Sequence, residues 1–268
     1  MHADPLRADP REPLDAWFAA VAAPAGLGGI EAERFELASR GDRVPGRLLL
    51  PAGAPGPLPL VLLQHGAGGA KDAVYLDAAA GPWVRRGAAV ASIDFPLHGE
   101  RASAKLSERV LGELAPGGGG LRDTSLWREL ARQAVHDLQR TLDALERHPR
   151  IDPARIGYAA FSMGTILGAP FCALDSRVRA AALAIGGGGF GPAELDPVHH
   201  VPRFAPRPIL FVNAERDERI PRAAAEALHA AALEPKEIVW FDCTHSGLPG
   251  AALKAMWTFL QRHLAIGA

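Results

Sequence analysis

The sequence predicts the α/β fold class, with a mostly parallel sheet covered by helices on both faces. Short apolar runs alternate with segments of helical periodicity along most of the chain, a pattern typical of βα units. Several runs, such as the one at 58–65, are apolar at nearly every position, as in strands buried on both faces. The chain has 268 residues, of which 48% are hydrophobic, so we predict a single domain over 1–268 with one large core.

The sheet is predicted to contain about eight strands. In chain order they are 33–39, 44–50, 58–65, 87–95, 154–161, 178–186, 207–214 and 236–242. The first two are expected to pair through a turn at Gly41–Asp42, and the later connections are expected to be right-handed crossovers.

Helical patterns fill most of the intervals between these strands. They are predicted at 72–86, 126–147, 163–174, 221–232 and 248–264. The pattern at 126–147 is the clearest, because apolar residues recur at helical spacing from Leu130 to Leu145. His148–Pro149 is expected to end that helix.

Two segments are predicted to lie outside this alternation. Residues 1–30 are interpreted as an N-terminal arm with one short helical pattern at about 12–22. Residues 96–125 lack a regular pattern, and a small helical lid insertion is predicted at about 97–126. The glycine run at 117–120 inside it fits either a lid hinge or a plain surface loop.

Composition argues against several classes of function. Lys and Arg total 29 against 30 for Asp and Glu, so no basic excess favours binding to nucleic acid. The N-terminus lacks an apolar secretory region and no run of 18 apolar residues occurs. We therefore expect no membrane span and a cytoplasmic protein. The oligomeric state, monomer or homodimer, stays open.

No motif indicates a metal or an organic cofactor. His199 and His200 are adjacent, with Asp196 nearby, but adjacent side chains rarely face the same way and no HExxH motif is present. No GxGxxG follows a predicted strand, so no dinucleotide is implied. We expect neither a catalytic metal nor a cofactor.

The strongest chemical signal is Ala160-Phe161-Ser162-Met163-Gly164, which stands between a predicted strand and a predicted helix. A tight strand–turn–helix projects the central serine above the sheet, and the residues two before and two after it must be small. Here Ala160 replaces the first glycine of G-x-S-x-G and adds only one methyl group. Ser162 could alternatively be a simple helix N-cap.

Three further loops follow predicted strands. The first reads Gln64-His65-Gly66-Ala67-Gly68-Gly69, the second contains Asp217 with Pro221 four residues later, and the third contains His245 within Asp242-Cys243-Thr244-His245-Ser246-Gly247. The glycine-rich loop could bind phosphate, but no GK[ST] follows it. Glu215 and Glu218 compete with Asp217 for the acidic position.

With the serine motif, these loops resemble the α/β-hydrolase superfamily, whose nucleophile, acid and histidine occur in this chain order. The resemblance covers roughly residues 33–264 and implies an α/β-hydrolase fold. It implies that Ser162 is the nucleophile, Asp217 the acid and His245 the general base. It also implies an oxyanion hole formed by the backbone N–H of Met163 and that of Ala67 or Gly68.

The stretch from Asp94 to Arg101 resembles the corresponding loop of the dienelactone-hydrolase-like and acetyl-esterase-like branches. There it is mostly structural, so we expect Asp94 to bind backbone N–H groups and neither Asp94 nor His98 to belong to the catalytic residues. A dienelactone hydrolase itself would carry Cys in place of Ser162, and a haloalkane dehalogenase would carry Asp.

The sequence therefore predicts a serine carboxylesterase that forms an acyl-enzyme on Ser162. A small lid favours short acyl chains in a small-molecule ester. Two alternatives stay open. One is a peptidase or amidase resembling the catalytic domain of prolyl oligopeptidases, and the other is a ligand-binding protein with low turnover on the same fold.

Overall fold

The described residues form one β-sheet, and the loops that carry the predicted site residues follow its strands. The computed structural model describes residues 4–114 and 124–267. Within these ranges the sheet has nine strands. In chain order they are β1 Trp17–Val21, β2 Ile30–Ser39, β3 Asp42–Pro51, β4 Leu58–Gln64, β5 Ala89–Ile93, β6 Ile151–Phe161, β7 Val178–Ala184, β8 Ile209–Ala214 and β9 Lys236–Phe241.

Helices occupy the connections between the parallel strands. They are α1 Val74–Val84, α2 Ala104–Leu114, α3 Thr124–Leu145, α4 Met163–Leu174, α5 Pro197–His200, α6 Arg222–Ala231 and α7 Gly250–His263. None of the helices in the described ranges has the length and apolar character needed to cross a bilayer.

The strand order confirms the predicted fold class. It is β1-β2-β3-β5-β4-β6-β7-β8-β9. The strands from β1 to β3, and β3 with β5, pair antiparallel, whereas all pairs from β5 to β9 are parallel. The predicted hairpin at the start is present, because β2 and β3 remain in register up to the pair Ser39 and Asp42.

The N-terminal segment differs from its prediction. Trp17–Val21 forms a strand and not a helix, so the sheet has nine strands and not the predicted eight. The run WFAAV is too short for its periodicity to separate helix from strand, and pairing with β2 decides the outcome. The preceding residues lie against α3, where Gln139 accepts from the Ala8 N–H and donates to the Leu6 carbonyl.

The sheet separates two apolar cores, which explains the continuous apolar runs. In β4, Leu60 and Leu62 pack into one core, and Val61 and Leu63 pack into the other. The first core lies under α3, α4 and α6, and the second lies under α1 and α7. Helices thus cover both faces, so both sides of the central strands are apolar.

The predicted lid segment is only partly described. Residues 104–114, for which the sequence pattern predicts no regular element, form α2, an amphipathic helix whose Val110 is buried. Residues 115–123, including the glycine run at 117–120, lie outside the described residues. A lid over 97–126 therefore stays a prediction.

Candidate active site

The candidate site lies at the edge of the sheet where the parallel strands end. β4 ends at Gln64, β6 at Phe161, β8 at Ala214 and β9 at Phe241. Because the carboxyl ends of parallel strands meet at one edge, the loops that follow them come together there. A hydrogen bond of 2.9 Å from the Glu215 N–H to the Phe241 carbonyl joins the last two loops.

Ser162 occupies a strained turn between β6 and α4. Its φ of 51° and ψ of −115° are values that residues with a side chain rarely adopt. Its N–H donates to the Ala184 carbonyl at 2.9 Å, and the Thr165 hydroxyl donates to the same oxygen at 2.8 Å. The turn is thereby attached to the end of β7. The serine side chain makes no capping hydrogen bond to α4, so it is free to point above the sheet.

The small residues of the motif leave room for this turn. A Cβ atom on Gly164 would lie 2.7 Å from the His65 carbonyl oxygen and 3.2 Å from the Cβ of Ala160. Position 164 therefore requires glycine, because the nearest obstacle is backbone. Ala160 is fully buried, and its methyl group occupies the space beside the missing side chain of Gly164.

We expect Gly164→Ala to displace the serine turn. Overpacking of this kind destabilises by about 1–3 kcal/mol, and a displacement near 1 Å lowers ester turnover by about 10²-fold. Ala160→Gly is the matched control and should keep turnover within about threefold, since the loss of one buried methyl group costs about 1 kcal/mol of stability. Initial rates and thermal unfolding measure both effects. Equal rates for Gly164→Ala and wild type would show that the packing argument is wrong.

The structure brings Ser162, His245 and Asp217 together. His245 Nε2 lies 2.9 Å from Ser162 Oγ. On the other side of the ring, Nδ1 lies 2.8 Å and 2.9 Å from the two oxygens of the Asp217 carboxylate. The side chains of His245 and Asp217 are each only 6% exposed, so little water competes for these contacts. The arrangement lets a proton move from the serine to the histidine while the carboxylate orients the ring.

Asp217 also binds the backbone of its own loop. Its Oδ1 accepts from the N–H of Arg219 at 2.9 Å and from that of Ile220 at 2.8 Å. Burial acts to raise its pKa, but the hydrogen bonds from His245, Ile220 and Arg219 outweigh burial, and the pKa is lowered. Because the folded pKa lies below the unfolded one, these contacts stabilise the protein above the unfolded pKa. That contribution is lost as the pH falls through the folded pKa.

The two other acidic residues of this loop, Glu215 and Glu218, are not hydrogen-bonded to the imidazole ring. The Glu218 carboxylate accepts from the backbone N–H of His245 at 3.0 Å and so binds the main chain of the histidine loop. Glu215 is exposed. Among Asp217, Glu218 and Glu215, only Asp217 is hydrogen-bonded to the imidazole ring.

The glycine-rich loop after β4 is held in place by His65. Its Nε2 accepts from the Phe95 N–H at 3.2 Å, and its Nδ1 lies 2.8 Å from the Gly66 carbonyl oxygen. Burial lowers the pKa of His65 to about 4, so the ring is neutral near pH 7. It therefore donates through Nδ1 and accepts through Nε2, and both contacts are satisfied by one tautomer.

Lys71 anchors the other end of the glycine-rich loop by binding Asp94 and Glu100. Its N–H donates to Asp94 Oδ1 at 2.7 Å, and its ammonium group donates to Asp94 Oδ2 at 2.8 Å and to Glu100 at 2.6 Å. Asp94 also accepts from the Glu100 N–H at 3.0 Å. The prediction that Asp94 binds backbone N–H groups is confirmed. Neither Asp94 nor His98 lines the cavity beside Ser162.

The three predicted oxyanion donors differ in position. The N–H groups of Ala67 and of Met163, the first residue of α4, donate to no other described residue. Ala67 lines the described cavity beside Ser162, whereas Gly68 does not. The Gly68 N–H has no described acceptor either, so the oxyanion hole stays a prediction.

A cavity of about 350 Å³ opens beside Ser162, near the lower end of ordinary ligand-site volumes. Its described lining is mostly apolar, with a few polar groups. The residues are Gly66, Ala67, Tyr75, Ala78, Phe161, Ser162, Ile185, Arg219, His245, Ser246, Leu248 and Leu253. No sequence motif singled out Tyr75 or Leu253, because their approach to the site depends on how α1 and α7 pack. Arg219 and Leu248 lie in the loops that carry Asp217 and His245.

Part of the chain is similar to a known protein family. A model of the dienelactone hydrolase family matches residues 121–246, which contain Ser162, Asp217 and His245. Comparison with curated proteins gives no significant match. The family match thus covers the segment that holds the three clustered side chains.

Solved structures resemble nearly the whole chain. A cold-adapted esterase from an Arctic intertidal metagenomic library is 24% identical, with 91% of this chain and 97% of that chain covered and a TM-score of 0.75. An acetyl xylan esterase from Paenibacillus sp. R4 is 20% identical, with 94% and 90% covered and a TM-score of 0.75. A putative dienelactone hydrolase from Klebsiella pneumoniae subsp. pneumoniae MGH 78578 is 19% identical, with 88% and 98% covered and a TM-score of 0.67. At these identities the likeness concerns the fold. It shows an α/β fold of the kind found in these esterases and hydrolases, and the match over residues 121–246 shows that this part of the chain is similar to the dienelactone hydrolase family.

Proposed function

We propose that this protein hydrolyses carboxylic esters through an acyl-enzyme on Ser162. The observation that carries the proposal is the continuous contact from Ser162 Oγ through both ring nitrogens of His245 to the Asp217 carboxylate, with each distance between 2.8 Å and 2.9 Å. A serine hydroxyl becomes nucleophilic when an oriented base can take its proton. The match to the dienelactone hydrolase family supports an ester as the substrate.

The reaction starts with proton transfer from Ser162 Oγ to His245 Nε2 as the oxygen attacks the ester carbonyl carbon. The carbonyl π electrons move to its oxygen and give a tetrahedral oxyanion. When the oxyanion collapses, the bond to the alkoxy group breaks and His245 returns the proton to the departing alcohol. Water then attacks the acyl-enzyme with His245 again as base, which releases the acid and restores the serine.

The backbone N–H groups of Ala67 and Met163 are the proposed oxyanion donors. Both are free of other described partners, and Ala67 follows Gly66, whose Cα faces the serine. A Cβ on Gly66 would lie 3.1 Å from Ser162 Cβ. Donors fixed beforehand by a rigid loop need no reorganisation during the reaction, and each is worth about 3 kcal/mol. His65 and Lys71 supply that rigidity.

The cavity supports a short acyl chain. Its volume of about 350 Å³ leaves room for only a short chain beside the serine. One of the structures similar in fold is named an acetyl xylan esterase, which is compatible with a small acyl group here. We propose acetyl to butyryl esters as the substrate class.

A series of p-nitrophenyl esters tests this proposal. We expect kcat/KM to be highest between acetate and butyrate and to fall for decanoate, because a long chain does not fit the described cavity. Ser162→Ala is the control for turnover that does not depend on the site. A maximum at decanoate or longer would contradict the acyl-chain proposal. Cleavage of aminoacyl arylamides without cleavage of simple esters would instead identify a peptidase.

A further inference from the structure

Tyr75 lies in the wall of the cavity at the start of α1, and its hydroxyl oxygen is already engaged. The Gly66 N–H donates to this oxygen at 2.9 Å. The Tyr75 ring packs edge-on against Phe161, the residue before Ser162, with 5.5 Å between ring centroids. The side chain therefore bridges the glycine-rich loop and the serine turn.

The hydroxyl is brought close to this loop because a glycine makes room for it. A Cβ on Gly69 would lie 2.7 Å from the Tyr75 hydroxyl oxygen, so any side chain at position 69 would displace the phenol. The same loop contains Ala67, the proposed oxyanion donor. Gly66, which binds Tyr75, also has its Cα directed at Ser162.

The hydroxyl hydrogen of Tyr75 is not used within the described structure. A tyrosine hydroxyl can accept and donate at the same time, and this one accepts from Gly66 but donates to no described residue. The side chain is 41% exposed and lines the cavity. The second tyrosine of the chain, Tyr158, differs in this respect, because it donates to the Gly164 carbonyl at 2.8 Å.

We propose that Tyr75 is a catalytic residue whose hydroxyl donates its free hydrogen to the carbonyl oxygen of the reacting ester, beside the N–H groups of Ala67 and Met163. This inference rests on the proposed ester hydrolysis. The hydrogen bond from Gly66 polarises the hydroxyl and makes it a better donor. The bond from Tyr75 to the ester strengthens as the carbonyl oxygen gains negative charge. It therefore lowers the barrier more than it improves substrate binding.

Burial raises the pKa of the Tyr75 phenol, although the hydrogen bond from Gly66 opposes this effect. The phenol is therefore protonated at neutral pH and available as a donor. Replacing Tyr75 with Phe removes the hydrogen bond from Gly66 and the proposed bond to the ester, and it is expected to lower kcat by about 10²-fold with little change in KM.

A fluorinated tyrosine at position 75 separates donation to the ester from simple support of the loop. Fluorination makes the phenol more acidic and leaves its shape nearly unchanged. The resulting phenolate can still accept from the Gly66 N–H, but it has no hydrogen to donate. If Tyr75 donates to the ester, kcat of the trifluorotyrosine enzyme falls as the pH rises through the lowered phenol pKa, whereas wild-type kcat stays level over the same range.

The trifluorotyrosine enzyme and wild type should be compared across this pH range with p-nitrophenyl acetate. A level kcat profile for both enzymes would overturn the role of Tyr75 while leaving Ser162-dependent hydrolysis intact. A change confined to KM would also overturn it, because it would indicate ground-state binding. A wild-type protein without any ester turnover would overturn both this inference and the proposed function.

Discussion

Replacing Ser162 with Ala is expected to lower kcat for p-nitrophenyl butyrate by about 10⁶-fold. The hydroxyl is the only atom lost, and its side-chain hydrogen bond is to His245, so no other described contact should change. The backbone at position 162 keeps its φ of 51° with the same Cβ, and the strain of the turn is therefore unaltered. Thermal unfolding within about 1 kcal/mol of wild type would show that the fold is preserved.

A Ser162→Ala protein with kcat within tenfold of wild type would contradict the account. Such a result would mean that another group attacks the ester or that water attacks directly. The hydrolysis would then have to be assigned to a different part of the molecule.

The second large effect is expected for Asp217→Asn, which should lower kcat by about 10⁴-fold. The two backbone bonds, from Arg219 and Ile220, both go to Oδ1, and an asparagine oxygen can keep them. Its NH₂ group then faces Nδ1 of His245, where two donors would meet. The imidazole avoids this by moving its proton to Nε2, so it can no longer take the proton of Ser162.

Glu215→Gln provides the matched control for Asp217→Asn. It removes the same charge from the same loop at an exposed position that does not contact the imidazole, so kcat should stay within about threefold of wild type. Kinetics across the pH range distinguish loss of orientation from loss of charge. A fall of similar size in both variants would indicate that the net charge of the loop, and not the contact to His245, supports the reaction.

The sequence predicted the strands best where a continuous apolar run coincides with burial on both faces of the sheet. The strands β4, β5 and β8 are buried at every position because two cores cover the sheet, and their apolar runs are visible in the sequence. Ser162, Asp217 and His245 follow the parallel strands β6, β8 and β9. The resemblance to the α/β-hydrolase superfamily implied that these residues would be neighbours, and the physical reason is that parallel strands bring the loops at their carboxyl ends together.

Features that depend on packing between distant segments were not predicted. Trp17–Val21 is a strand because β2 offers it a partner, and α2 was left irregular. The positions of Ala67 and Gly68 relative to the cavity depend on the path of a loop that His65 and Lys71 hold.

Tyr75 illustrates the same limit within the site. Its hydroxyl meets Gly66 only because the start of α1 packs against the loop and Gly69 leaves a gap. Nothing in the residues around position 75 marks that contact.

The most direct test of the central claim is labelling with a fluorophosphonate, which reacts covalently only with an activated serine nucleophile. Wild type and Ser162→Ala should be treated in parallel, and the modified peptide should be identified by mass spectrometry. We expect a single adduct on Ser162 in the wild type and none in the variant. A folded wild type that takes up no label, or an adduct on another residue, would contradict the claim that His245 and Asp217 activate Ser162.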